Sequence, residues 1–167
     1  MIFFPTARAV FTGITNFKKL TALILVDSGL IVNNGTAGSS QYSNNYPPRG
    51  AFNGSNDWVN KLRQFPAVIW MRFQKSHRLQ KIGFAPYSVA SYLPNEFEVV
   101  GSDDCSHWTV LRRLNNKGGF RLDGEFKTFV IPVENRVSVT CIGLRWPNSN
   151  GCTGFVRVGE ITMWEQL

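Results

Sequence analysis

The sequence predicts an all-β protein, an antiparallel β-sandwich or jelly roll. Short runs of alternating apolar and polar residues recur along the chain, and turn-rich loops separate them at fairly even spacing. No stretch keeps a helical period over the ten or so residues that a helix requires. Short strands divided by regular turns are typical of sandwiches and jelly rolls. At 167 residues the chain fits one domain with a sizeable core.

The composition is globular and basic. Apolar residues make up 43% of the chain and aromatic residues 13%, which is far from the composition of a disordered segment. The net charge of +7 favours encounters with anionic partners such as lipid headgroups or acidic glycans. Lysine and arginine are scattered and do not cluster with aromatic residues in one strand pair, so nucleic acid is not an expected partner.

The first 19 residues show no sustained period and are interpreted as an N-terminal extension or an edge segment. Residues 20–167 form the single predicted domain. Its first strand is the apolar run Leu20 to Val26, which Asp27, Ser28 and Gly29 end. Residues 33–56 are rich in Asn, Ser, Gly and Pro and are expected to form a long loop, and long loops in compact domains are often functional.

The middle of the chain predicts two more strands. Residues 67–73 are apolar on both faces, as in a strand covered on both sides, and Ile82 and Phe84 share one face of residues 78–84. Lys75, Ser76 and His77 are expected to turn the chain between them. Residues 85–95 form a second loop.

A hairpin is predicted over residues 96–111. Phe97 and Val99 alternate with glutamates, and residues 101–104, Gly-Ser-Asp-Asp, supply the turn before a second strand-like run. Strands follow over 126–133, 136–146 and 155–164, with a third polar loop over 147–154. The alternation slips at Gly159, which predicts a bulge in the last strand.

Together these residues resemble the discoidin family, also called the coagulation-factor C-type domain, within the galactose-binding-like jelly rolls. The resemblance covers roughly Thr36 to Trp164. Its landmarks are Ala37-Gly38-Ser39-Ser40, Ala51-Phe52-Asn53-Gly54, Trp58, Trp70-Met71-Arg72-Phe73, Ile82-Gly83-Phe84, Phe97-Glu98-Val99, Ser102, Trp108, Phe129, Pro132, Arg136, Ile142-Gly143-Leu144-Arg145-Trp146 and Val156-Arg157-Val158-Gly159-Glu160-Ile161. Gly83 runs into Phe84-Ala85-Pro86 where fucose-binding relatives carry an Arg-x-Asp pattern, so fucose specificity is not expected.

The resemblance implies a non-enzymatic module for glycan binding or cell adhesion, with its recognition loops at one end of the sandwich. A glycan or glycoprotein is the implied partner. An aromatic ring can stack on the C–H face of a sugar, and arginine offers a bidentate fork for hydroxyl or carboxylate groups. The candidate ligand-binding residues are Tyr42, Tyr46, Arg49, Tyr87, Tyr92 and Trp146.

A calcium ion holds a loop in some sugar-binding relatives, through carbonyl and carboxylate oxygens. By that resemblance the candidate ligands here are Asn53, Asp57 and Glu160. Oxygen ligands suit a hard cation such as calcium.

No catalytic or redox-metal constellation is visible in the sequence. His77 and His107 stand in no metal-like or triad-like spacing, and phosphate-loop and nucleophile-elbow motifs are absent. An enzyme is therefore not expected. Cys105, Cys141 and Cys152 allow at most one internal disulfide and leave an odd thiol.

Two other functions remain open. A peripheral membrane module would insert apolar loop tips while its basic residues meet an anionic lipid surface. An intracellular protein-interaction domain would fit the odd cysteine count and the absence of a clear signal peptide. The family resemblance implies an extracellular home, and the odd cysteine count also allows a cytoplasmic one.

Overall fold

The computed structural model describes residues 28–31, 34–54, 57–61, 63–86, 94–115, 125–151 and 154–166. Within these residues nearly all regular structure is antiparallel strand, which confirms the predicted all-β sandwich. The strands are β1 Ser28–Leu30, β2 Thr36–Ser39, β3 Trp58–Val59, β4 Ala67–Pro86, β5 Glu96–Ser102, β6 Thr109–Asn115, β7 Lys127–Val130, β8 Ser138–Trp146 and β9 Arg157–Gln166. A short helix α1 spans Arg49–Asn53, and one 3₁₀ turn spans Val133–Asn135.

The strands form two layers that share β4. The front sheet has the order β2, β4, β8, β5, β6, and the back sheet places β7 and β9 on either side of β4, with β1 and β3 on β9. Arg78 still pairs with Ser138 of β8, whereas Leu79 already pairs with Glu165 of β9. The first half of β4 therefore belongs to the front sheet and the second half to the back sheet.

The predicted turn at Lys75 to His77 is wrong. The chain does not reverse there, because β4 continues and shifts its register on β8 between Arg72 and His77 as it passes to the back sheet. The same pattern, a polar break between two apolar runs, occurs where one strand bends and where the chain reverses direction. The sequence pattern alone does not distinguish the two.

The core lies between the sheets and is rich in aromatic rings. Trp58 and Trp146 stack with ring centroids 6.0 Å apart, and Phe84 meets Phe97 edge to face at 5.1 Å. Both contacts lie in the distance range in which aromatic pairs add stability beyond the area they bury. Burying each large apolar side chain contributes roughly 1.5–3 kcal/mol relative to exposure. This core fixes the loops that emerge from the strand ends.

The remaining strand predictions compare well with the structure where it describes them. β5 and β6 form the predicted hairpin, and the bulge at Gly159 is confirmed, because Ala85 pairs with Glu160 while Pro86 pairs with Val158. The predicted loop 33–56 is not entirely loop, since it contains β2 and α1. The predicted strand Leu20 to Val26 and the extension 1–19 lie outside the described residues.

A disulfide joins Cys105, in the loop between β5 and β6, to Cys141 of β8, with Cα atoms 5.5 Å apart. It fastens the loop that follows β5 to the neighbouring strand β8, between residues 36 positions apart in the sequence. Cys152 lies outside the described residues. In the described part of the chain, no helix combines the length and the apolar character needed to cross a bilayer.

Candidate functional site

Several loops meet at one end of the sandwich, which we call the loop end. Ala67 at the start of β4 pairs with Trp146 at the end of β8, so the residues just before Ala67 and just after Trp146 lie at the same end of the front sheet. Residues 40–48, which follow β2, emerge there too, because Ser39 pairs with Ile69 near the start of β4. The antiparallel register therefore gathers three loops that are far apart in sequence.

Hydrogen bonds tie these loops to one another. The side-chain amides of Gln41 and Asn60 both donate to the carbonyl of Gln64, at 2.5 and 3.2 Å. The Asn60 carbonyl oxygen accepts the Val156 N–H at 2.6 Å, and Asn60 is completely buried. Buried, bonded polar groups of this kind fix loop positions, because losing one partner leaves the other desolvated and unpaired. These hydrogen bonds therefore hold the loops of the loop end in fixed positions relative to one another.

A cleft of about 250 Å³ opens at this end between the first loop and the start of β9. Aromatic, aliphatic and polar side chains line it together: Ser43, Tyr46, Val59, Phe155 and Arg157. The guanidinium carbon of Arg157 lies 5.4 Å from the centroid of the Tyr46 ring, within the range of a cation–π contact. We call this cavity the loop-end cleft.

Asp57 orients the arginine of the cleft. Its carboxylate is buried and accepts a hydrogen bond from Arg157 Nε, while the Arg157 side chain stays 24% exposed. A buried carboxylate that lost this partner would carry an uncompensated charge, which costs about 3–5 kcal/mol. Arg157 is therefore held in one orientation, with its charge largely compensated.

Three of the predicted ligand-binding residues lie at the loop end. Tyr46 lines the cleft, Tyr42 is 41% exposed in the same loop, and Arg49 is exposed at the first position of α1. Of the three, the structure places Tyr46 against Arg157. Tyr87 and Tyr92 lie outside the described residues.

The assignment of Trp146 to the ligand-binding surface is wrong. Its side chain is 1% exposed and packs against Trp58, Phe84 and Phe97. A ring with both faces in the core has none to offer a sugar. Trp146 is the last residue of β8 and directly precedes a predicted recognition loop. Because its side chain points inward, it belongs to the hydrophobic core and not to the ligand-binding rim.

The three predicted calcium ligands lie in different environments. Asn53 is exposed at the end of α1, Glu160 is exposed on β9, and Asp57 is buried against Arg157. Within the described residues, no group of three His, Cys, Asp or Glu side chains could hold a metal ion. The guanidinium of Arg157 supplies at Asp57 the positive charge that calcium would bring. Calcium binding stays a prediction.

The clearest electrostatic shift lies at the opposite end of the front sheet, in the loop 103–108. His107 Nδ1 lies 2.6 Å from Asp104 Oδ2, and the backbone N–H groups of Ser106 and His107 both donate to Asp104 Oδ1 at 2.8 Å. The hydrogen bonds from His107 and from these amides lower the pKa of Asp104. The same pairing with Asp104 raises the pKa of His107 above its ordinary value of 6.5.

Asp104→Asn is expected to return the pKa of His107 toward 6.5, as measured by NMR titration of the imidazole protons. In the wild type, the stabilisation from His107 is present below pH 6.5 and is lost as pH rises through the raised pKa. The stabilisation from Asp104 is present above pH 3.8 and is lost as pH falls through its lowered pKa. An unchanged histidine titration in the variant would show that the contact does not persist in solution.

Four of the five residues that line the cleft were not predicted from the sequence, and Phe155 and Arg157 are the two of them that matter most here. A usable signal was present, since Val156 and Val158 alternate with Phe155 and Arg157 directly after a polar loop. When the valines are buried, the two intervening side chains must project from the other face of the strand start. The pairing of Arg157 with Asp57, one hundred residues away, was not visible in the sequence.

Comparison with known proteins identifies the fold. Neither a protein-family model nor a curated protein matches the sequence. Among solved structures, the family 32 carbohydrate-binding module of NanJ from Clostridium perfringens, in complex with galactose, is similar with a TM-score of 0.66 and 16% identity, over 83% of this chain and 100% of that one. The lectin binding domain of lectinolysin, complexed with Lewis b, is similar with a TM-score of 0.66 and 13% identity, over 85% and 99%.

An F5/8 type C domain from Bacteroides fragilis is similar with a TM-score of 0.65 and 12% identity, over 83% of this chain and 97% of that one. At these identities the likeness establishes the fold. The order of the landmarks, the shared strand β4 and these structural neighbours agree: the chain has the discoidin-like β-sandwich fold.

Proposed function

We propose that the chain is a non-enzymatic glycan-binding module whose primary contact is the loop-end cleft. The observation that carries this proposal is the arrangement of Arg157, which buried Asp57 holds over the ring of Tyr46 in an open cleft. Aromatic faces beside an oriented guanidinium suit the alternating C–H and O–H surface of a sugar. The galactose and Lewis b complexes of the structural neighbours support the same class of ligand.

The cleft is expected to bind a sugar ring through two kinds of contact. The ring packs its C–H face on Tyr46 and Phe155, and Arg157 donates hydrogen bonds to hydroxyl oxygens. Because Asp57 fixes the guanidinium before the ligand arrives, little side-chain entropy is lost on binding. Shallow, preorganised recognition of this kind requires no movement of the sandwich.

Tyr46→Ala is expected to weaken binding of the best glycan about tenfold, since tyrosine is among the residue types enriched at the minority of contacts whose truncation costs more than about 1 kcal/mol. The ligand is first chosen on a glycan array, and affinities are then measured by calorimetry. Phe126→Ala is the matched control, because Phe126 is 40% exposed and does not line the loop-end cleft. An equal loss in both variants, or no binding by the wild-type chain, would refute the proposed site.

The same titration in the presence of a chelator tests the calcium proposal. If a calcium ion supports the loop through Asn53, Asp57 and Glu160, the chelator lowers both the affinity and the melting temperature. Full affinity in chelator keeps the glycan-binding function and removes the metal from it.

We also propose that the protein works in an oxidising compartment. The disulfide between Cys105 and Cys141 supports this location, because such bonds persist mainly outside the cytosol. Thiol labelling of the protein isolated from its native source would contradict the proposal if both cysteines react without prior reduction.

A further inference from the structure

A second aromatic surface lies on the outer face of the front sheet, and none of its residues lines the loop-end cleft. Ile69 and Met71 of β4 point into the core, so Trp70 and Arg72 project outward. Trp70 pairs with Gly38 of β2 on one side and with Gly143 of β8 on the other, and a Cβ added at Gly38 would collide with its indole ring. Gly38 therefore lets the indole lie close to the sheet.

Trp108 adds a second indole to this surface. Its ring centroid lies 5.6 Å from that of Trp70, at an angle of 53°, and both side chains are half-buried. The loop that carries Trp108 is fastened to β8, because Cys105 is bonded to Cys141 and Asp103 accepts the Thr140 N–H and hydroxyl. The indole pair is thus rigidly positioned.

A cluster of charged side chains lies on the same face of the front sheet, next to the two indoles. Gly143 pairs with Val100, and two residues further along each strand, about 7 Å away, Arg145 pairs with Glu98. The Glu98 side chain is 5% exposed, with Arg145 Nε at 2.6 Å from one oxygen and Arg113 Nη1 at 2.8 Å from the other. Two guanidinium groups thus face one carboxylate.

Arg113 can reach a ligand from this position. Its side chain is 76% exposed, and it lines a cleft of about 340 Å³ together with Leu114, Asn115 and Pro147. A guanidinium has five N–H donors and Glu98 is shared with Arg145, so Arg113 has donors left for a ligand in the cleft that it lines. Buried Glu98 holds it there, as Asp57 holds Arg157.

We propose that an acidic polysaccharide chain binds across this outer platform, which consists of Trp70, Trp108, Arg145, Glu98 and Arg113. The inference rests on the proposed glycan-binding function and names the ligand as a chain of several sugars that carry carboxylates. Sugar faces stack on the indoles, and carboxylates pair with Arg113, the residue type best suited to them. Glu96 also lines the cleft and opposes an anionic ligand.

The test measures binding of polygalacturonate and of galacturonate monomer by calorimetry. Trp70→Ala is expected to weaken binding of the polymer about tenfold and to leave the monomer unaffected. Trp164→Ala is the matched control, since Trp164 is also a half-buried indole on β9, outside the platform and beneath Lys81. Glu96→Gln is expected to tighten binding of the polymer, and added salt is expected to weaken it in every variant.

The outcomes separate this inference from the proposed function. Polymer binding that falls in Tyr46→Ala but not in Trp70→Ala keeps the loop-end cleft and overturns the platform. Polymer binding that falls in Trp70→Ala, together with unchanged binding of the best array glycan in Tyr46→Ala, keeps the platform and overturns the cleft. Equal losses in Trp70→Ala and Trp164→Ala, equal binding of a neutral galactan, or tighter binding of single-stranded DNA would each overturn the inference.

Discussion

Replacing Trp146 with alanine is expected to lower the free energy of unfolding by about 3–5 kcal/mol, the usual cost of removing a buried tryptophan. Trp146 is 1% exposed and touches the rings of Trp58, Phe84 and Phe97. The cavity left behind is bounded by rigid rings that cannot collapse into it. Urea unfolding followed by circular dichroism measures the change.

Trp146→Phe separates packing from ligand binding. A phenyl ring refills part of the cavity, so the loss of stability should be smaller, and glycan affinity below the melting temperature should equal that of the wild type. If Trp146→Phe were fully stable but had lost glycan binding, the tryptophan would be a ligand contact after all, and its buried position would be wrong.

Removing the disulfide is expected to have the second large effect on the stability of the fold. In the chain-entropy model, a cross-link that closes a 36-residue loop stabilises the folded state by about 3–4 kcal/mol. The double variant Cys105→Ser and Cys141→Ser, like the reduced wild type, should therefore melt about 6–16 °C below the oxidised protein. Differential scanning calorimetry with and without reductant gives both values.

Cys152→Ser is the control for this experiment, because it keeps both bonded cysteines. Its melting temperature should equal that of the wild type, and reductant should still lower that temperature. An oxidised wild type that melts with the double variant would mean that the cross-link does not form in solution.

Local patterns predicted most of the described strands because burial enforces a period of two. Phe97 and Val99 face the core while Glu96 and Glu98 do not, and that alternation is legible without a structure. The slip at Gly159 marked a bulge for the same reason. The crossing of β4 between sheets was not predictable in this way, since its polar residues also fit a turn.

The site was less predictable because it depends on contacts between distant residues. Tyr46 could be selected by residue type and loop context. The partner that completes its cleft, Arg157, follows another loop and is oriented by Asp57. Trp146 has the same residue type and a similar loop context, yet its position on the inward face of β8 places it in the core. The residue type makes a side chain a candidate for ligand contact, whereas its register in the strand determines whether it faces the solvent or the core.

The pairing of β1 with β9 has a consequence for how the module can be attached to other chains. Ser28 pairs with Gln166, so the described residues nearest the two ends of the chain lie side by side. Gln166 is nine residues along β9 from Arg157, or roughly 30 Å. A neighbouring domain or a solid support joined directly after Gln166 would therefore stand at the end of β9 opposite Arg157 and leave the loop-end cleft unobstructed.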